Sequence, residues 1–151
     1  MGSEPTEITH DGTQIWRNEN DELHREDGPA VIYPDGENCW YIYDKLHRED
    51  GPAVFCRDGR QYWYINGKLH REDGPAIIFT DGEQKWYING KLHREDGPAV
   101  IYPNGRQYWY INGHDVTDKI HKWAKNRDID LNNLTEMDKM IISIEWGNYG
   151  K

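Results

Sequence analysis

The chain has little from which to build a large aliphatic or cross-linked core. Its 151 residues include two Cys, two Phe and three Met. No apolar run approaches the ~18 residues of a membrane span, and no signal-peptide pattern is present. A polyanion such as duplex DNA needs a basic stripe, and the formal net charge is −9. The excess is concentrated early: Glu4, Glu7, Asp11, Glu19, Asp21 and Glu22 face Arg17 alone in the first 22 residues. No nucleophile elbow, phosphate loop, HExxH or dinucleotide fingerprint occurs. These absences predict a cytoplasmic, non-enzymatic chain without cofactor or metal. They also predict no membrane and no direct charge attraction to double-stranded nucleic acid.

Aromatic residues are plentiful, with seven Trp and ten Tyr, which suits sheets and binding surfaces. So is repetition. The octapeptide Leu-His-Arg-Glu-Asp-Gly-Pro-Ala starts at Leu23, Leu46, Leu69 and Leu92, each 23 residues after the last. Periods of roughly 20–50 residues mean stacked units. Within the unit Leu69–Lys91, Ala76 to Phe79 is apolar and β-branched and reads as a strand. The turn Thr80-Asp81-Gly82-Glu83 follows, with Asp-Gly supplying positive-φ positions. Gln84 to Ile88 reads as a second strand, Asn89-Gly90 as a tight hairpin turn, and Lys91-Leu92-His93 as a short returning piece. Pro98 belongs at a strand start or edge. The predicted fold is mainly β: an elongated, twisted antiparallel meander of hairpins with a short C-terminal helical cap.

Alternation assigns faces. Trp40, Trp63, Trp86 and Trp109 share a side with Ile42, Ile65, Ile88 and Ile111. The other side carries Tyr41, Tyr64, Tyr87 and Tyr110, with the variable column Cys39, Tyr62, Lys85 and Tyr108. A column that accepts Lys faces water, so the Trp side is expected inside and the Tyr side more exposed. Cys39 and Cys56 occupy different repeat positions and read as interchangeable side chains, not as a disulfide or zinc frame. Trp16 continues the Trp column one residue out of period, so Asp11–Leu23 is a partial first unit. The expected organisation is an acidic tail at 1–10, a repeat array at 11–114 and a cap at 115–151.

Trp63-Tyr64-Ile65-Asn66-Gly67-Lys68-Leu69-His70, followed by Gly74 and Asp81-Gly82, resembles a MORN-type repeat, the family of stacked 23-residue β-hairpins. The likeness covers about residues 11–114. It departs where the family has Gly directly after His, because this chain inserts Arg-Glu-Asp. That variant is similar to repeat proteins of tailed phages and giant viruses. The resemblance implies fold and a viral origin, and it carries no catalytic residues.

After Gly113 the period breaks. Residues Asp115–Asn126 read as a helix with Val116, Ile120, Trp123 and Ala124 on one face and Asp115 or Thr117 capping its start. Thr135 to Asp138 resembles a capping box, and Leu134, Met137, Met140, Ile141 and Ile144 form the apolar face of a second helix. The pair is expected to cap the last open edge of the array; docking a partner or building a dimer are the alternatives.

Three columns are candidates for function. Histidines 24, 47, 70 and 93 stand one unit apart, ~10 Å across two strands. Zinc needs ligands ~2 Å from one centre, so each His is expected to hydrogen-bond in its own turn. Arg25, Arg48, Arg71 and Arg94 lie beside carboxylates and are expected to pair across units as a ladder. Four equal copies do not make the unique geometry of an active site. The Tyr column stabilises the sheet by cross-strand pairing, contacts protein, or stacks bases or sugars. The candidate binding surface is Tyr41, Arg48, Tyr62, Tyr64, Arg71, Tyr87, Arg94, Tyr108 and Tyr110. The function expected is protein–protein binding by a viral protein, as an inhibitor of a host or defence protein. Sequestering a nucleotide-type ligand and serving as a structural component stay open, as does a homodimer through the sheet edge or the C-terminal helices.

Overall fold

The computed structural model describes residues 4–150. Ten short antiparallel strands form one open meander sheet, in the order Glu7–Ile8, Gln14–Ile15, Val31–Ile32, Asn38–Cys39, Val54–Phe55, Gln61–Tyr62, Ile77–Ile78, Gln84–Lys85, Val100–Ile101 and Gln107–Tyr108. Each full unit adds two strands. The acidic N-terminal segment contributes the edge, with Glu7 opposite Ile15. Four two-stranded hairpins stand beside this sheet, such as Tyr64–Ile65 with Lys68–Leu69 and Tyr87–Ile88 with Lys91–Leu92.

The predicted strand Gln84–Ile88 is therefore two pieces, divided at Trp86. The cause is a backbone switch. The Trp86 N–H donates to the Ala99 carbonyl at 2.8 Å, while its carbonyl accepts from the His93 N–H at 3.0 Å. One bond belongs to the large sheet and the other to the hairpin. Trp40 and Trp63 repeat the switch, as does Trp16, which donates to Ala30 and accepts from His24. Ala30, Ala53, Ala76 and Ala99, the last residue of each octapeptide, have no exposed surface. A larger side chain there would meet close packing.

The two turn types differ. In the Asp-Gly turns positive φ falls on the glycine alone (Gly82, +96°). Gly82 donates back to the Phe79 carbonyl and Asp81 Oδ1 accepts the Glu83 N–H at 2.9 Å. This corrects the expectation that Asp shares the positive-φ role: its carboxylate stabilises the turn instead. The Asn-Gly turns place both residues at positive φ, 49° and 75° at Asn66 and Gly67, as a type I′ hairpin requires. In the first full unit Tyr43 and Asp44 occupy those positions, at 48° and 59°, without glycine.

The sheet has no opposing layer along its middle. Trp40, Trp63 and Trp86 are only half-buried, as are Ile42, Ile65 and Ile88. The expected inside face is thus closed only at its ends, at Trp16, Trp109 and Ile111. The variable column faces water in part, as its lysine implies: Tyr62, Lys85 and Tyr108 are half-exposed, with Lys85 paired to Glu83 at 2.8 Å, while Cys39 is buried.

Among the described residues the hydrophobic cluster is built where the helices α1 (Thr117–Lys125) and α2 (Glu136–Trp146) cover the last unit. Val116, Ile120, Trp123 and Ala124 face it as their spacing predicts, with Trp109, Ile111 and Ile142. The N-cap residue of α1 is Val116, without a side-chain cap bond, and not Asp115 or Thr117 as expected; Thr117 has a different task. Its hydroxyl accepts the Trp109 N–H at 3.0 Å, replacing the alanine carbonyl that a further unit would supply. Thr135 and Asp138 form the predicted capping box. The predicted face of α2 holds in part: Leu134 and Ile141 pack against the cluster, but Ile142 is the fully buried residue and Met137, Met140 and Ile144 are exposed. Apolar residues surround most of this helix, and Ile142 with Trp146 offers more contact to Trp109 and Trp123 than the Met stripe does.

Candidate functional site

The Arg-Glu-Asp-Gly-Pro loop is organised by its arginine. Arg71 Nε donates to Asp73 Oδ1 at 2.7 Å and Nη1 to the Pro75 carbonyl at 3.2 Å. The guanidinium carbon lies 4.2 Å from the centre of the Trp63 ring, a cation–π distance. A Cβ on Gly74 would come within 2.9 Å of that carbon, so only glycine lets the fork lie flat. Arg25, Arg48 and Arg94 make the same contacts over Trp16, Trp40 and Trp86. The hydrogen bond from Arg48, then its charge, holds the Asp50 carboxyl below the usual carboxylate range, and Arg71 does the same to Asp73.

The expected ladder of ion pairs between units is therefore absent from this arginine column. Spacing decides it: two residues and a turn bring the carboxylate onto Nε of its own loop. Register between hairpins is carried by the backbone and by histidine. The Arg71 N–H donates to the Tyr87 carbonyl at 3.0 Å, and His70 Nδ1 accepts the Asn89 N–H at 3.2 Å. The histidines thus bond to the Asn-Gly turn of the following hairpin and not, as expected, within their own turn. Among the described residues no group of three or more His, Cys, Asp or Glu is placed to hold a metal ion.

Successive loops wall off chambers along the tryptophan side. Arg48–Pro52 and Arg71–Asp73 flank one of about 830 Å³ over Trp63, Ile65 and His70. Its neighbours, of about 860 and 780 Å³, lie over Trp40, Ile42 and His47 and over Trp86, Ile88 and His93. Together they form an open groove with an apolar floor and charged walls. Glu26, Glu49 and Glu72 project from the walls with side chains 82, 84 and 85% exposed, each 3.7–3.8 Å from a His Nε2.

The fourth register is filled by the chain itself. Trp109, Ile111 and Val116 stand where Trp, Ile and His stand elsewhere, and all three are buried under α1 and α2. Glu95 is 39% exposed, and its carboxylate accepts the Ser143 hydroxyl at 2.8 Å.

Arg48 and Arg71 line one chamber together, and Arg71 and Arg94 the next. Tyr41, Tyr62, Tyr64, Tyr87, Tyr108 and Tyr110 line none of the three. They are half-buried beside one another on the other side. Burial pushes the Tyr41, Tyr64 and Tyr110 hydroxyls up, and at Tyr64 the neighbours Tyr62 and Tyr87 add to it. Tyr62 packs edge-on to Phe79 and Tyr108 edge-on to Tyr102. The sequence reading missed the glutamates, although the same Glu recurs in every octapeptide between the two residues that bond each other.

Cys39 and Cys56 are free and buried. Burial, with the nearby Glu37 charge, pushes their thiols up to about 12 and about 11, which suppresses the nucleophilic thiolate. Among the described residues no helix is long and apolar enough to cross a membrane. A scan against protein-family models gives no match, and a search of curated proteins gives none either.

Proposed function

We propose that this is a non-enzymatic binding protein whose repeats present one face, in several equal copies, to another protein. The observation that carries the reading is the groove: three chambers share a Trp, Ile and His floor and Arg-Glu-Asp walls, the third bordered at its far wall by Ser143 of α2, while the fourth is occupied by the chain's own helices. Side chains that would serve a reaction are engaged in the fold. The arginines bind Asp and Pro, the histidines bind the next hairpin, and the thiols are buried. The half-buried Trp and Ile floor and the exposed Glu rim remain, and apolar centres with polar rims are the anatomy of protein interfaces.

The resemblance to MORN-type repeats of the phage and giant-virus variant supports a viral origin. It also supports action in the host cytoplasm as an inhibitor of a host or defence protein. The test is recovery of the tagged protein from host cells, followed by native mass spectrometry. A stoichiometric protein partner supports the reading. A bound nucleotide-sized ligand without protein, or higher assemblies of the chain alone, contradicts it.

A further inference from the structure

The fourth chamber records what the groove accepts. Its occupant is helical, lays apolar side chains on the Trp and Ile of the floor, and donates a hydroxyl hydrogen bond to the wall glutamate. The other three chambers keep the same floor, and their glutamates Glu26, Glu49 and Glu72 are uncovered; only the far wall of the third, at Glu95, is met by Ser143 of α2. Resting on the reading of a protein-binding chain, we infer that the open groove takes an amphipathic helix of a partner protein, with basic residues facing Glu26, Glu49 and Glu72.

Charge selects the basic partner. Each wall arginine is neutralised by its own Asp, whereas each wall Glu is balanced by nothing but a histidine edge. The row is therefore anionic, on a chain of net charge −9. Lys45 and Lys68 sit on hairpin tips against Gly67 and Gly90, outside the chamber walls. The same charge disfavours a second copy. Its available helix, α2, carries Glu136, Asp138 and Glu145 against Lys139 alone and would be repelled.

Spacing selects the period. Two strands per unit at about 4.8 Å each set neighbouring glutamates about 9.6 Å apart. Seven helical residues span about 10.5 Å at 1.5 Å each. A helix lying along the array thus meets each Glu with a basic residue once per heptad, and the intervening positions fall on the Trp–Ile floor.

The test uses a synthetic amphipathic helix about three heptads long, with one Lys per heptad beside a Leu and Ala face, and its twin with Glu in place of Lys. Binding to the full chain is read by tryptophan fluorescence and calorimetry. The Lys peptide is expected to bind and the Glu peptide at least about tenfold more weakly. Glu49→Lys with Glu72→Lys should cost about tenfold or more, with unchanged circular dichroism, whereas Tyr64→Ala with Tyr87→Ala should leave binding intact. No binding of the Lys peptide, equal binding of the two peptides, or indifference to the Glu exchanges overturns the inference. So does a dimer of the free protein that the Glu exchanges dissociate, since a second copy would then hold the groove. A natural partner that still binds the Glu-exchanged chain removes this inference but leaves protein binding standing. Recovery of no protein partner removes the function reading itself.

Discussion

His70 and Asn89 join one small hairpin to the next: the His70 Nδ1 accepts the Asn89 backbone N–H at 3.2 Å, across 19 residues of sequence. His47 and Asn66, and His93 and Asn112, repeat the bond. The same His70 Nδ1 lies 3.2 Å from the Asn89 side-chain Oδ1, so the ring meets both the backbone and the side chain of that turn. His70→Ala should cost about 1 kcal/mol, the net value of one such bond, measured by urea unfolding. No change in midpoint would mean that the backbone ladder alone sets the register.

Gly74 and Arg71 should be energetically linked. A methyl at Gly74 pushes the guanidinium off Trp63, so Gly74→Ala forfeits the stacking and the Pro75 bond, about 1–2 kcal/mol together. In an Arg71→Ala background the same methyl has nothing to displace. A double-mutant cycle should therefore show strong coupling. Additive effects would place the glycine requirement in the backbone instead.

Tyr43 and Asp44 hold a left-handed turn without glycine. Such positions cost roughly 1–3 kcal/mol each for other residues. Replacing the pair by Asn-Gly, as in the later units, should raise the melting temperature even though the Tyr43 contact with His24 is lost. A lower melting temperature would show that this contact outweighs the strain.

The thiols of Cys39 and Cys56 titrate at about 12 and about 11 when folded, against an ordinary value of 9.0. A raised folded value means that the native state holds its proton where the unfolded chain releases it. The stabilisation is complete below pH 9 and is lost as pH rises through 11 to 12. Folded protein should resist thiol reagents at neutral pH, and the unfolding midpoint should fall between pH 9 and 11. Cys39→Ala with Cys56→Ala should flatten that fall, with the raised tyrosines accounting for what remains. Rapid labelling of the native protein would contradict the burial argument.

Much of the fold was legible in the chain. The 23-residue period located the hairpins, Asn-Gly specified their turns, and the broken period at Gly113 marked the helices. The faces were harder. Alternation sorts Trp from Tyr, yet it does not say whether a second layer exists to bury either, and here only the last unit has one. Helix α2 has apolar residues on most sides, so its pattern could not choose between Ile142 and the Met stripe. The binding surface was half legible. Arg48, Arg71 and Arg94 do line the groove, but as its framework. The intervening glutamates were hidden because their significance depends on the arginine turning to Asp.

Hydroxyl-radical footprinting of the protein with and without its captured partner tests the central claim most directly, since oxidation reports each aromatic side chain separately. The account predicts that the partner protects Trp40, Trp63 and Trp86, that the tyrosines 41, 64 and 87 are unchanged, and that Trp109 is unreactive in both states. Protection confined to those tyrosines, with the three tryptophans still oxidised, would contradict it.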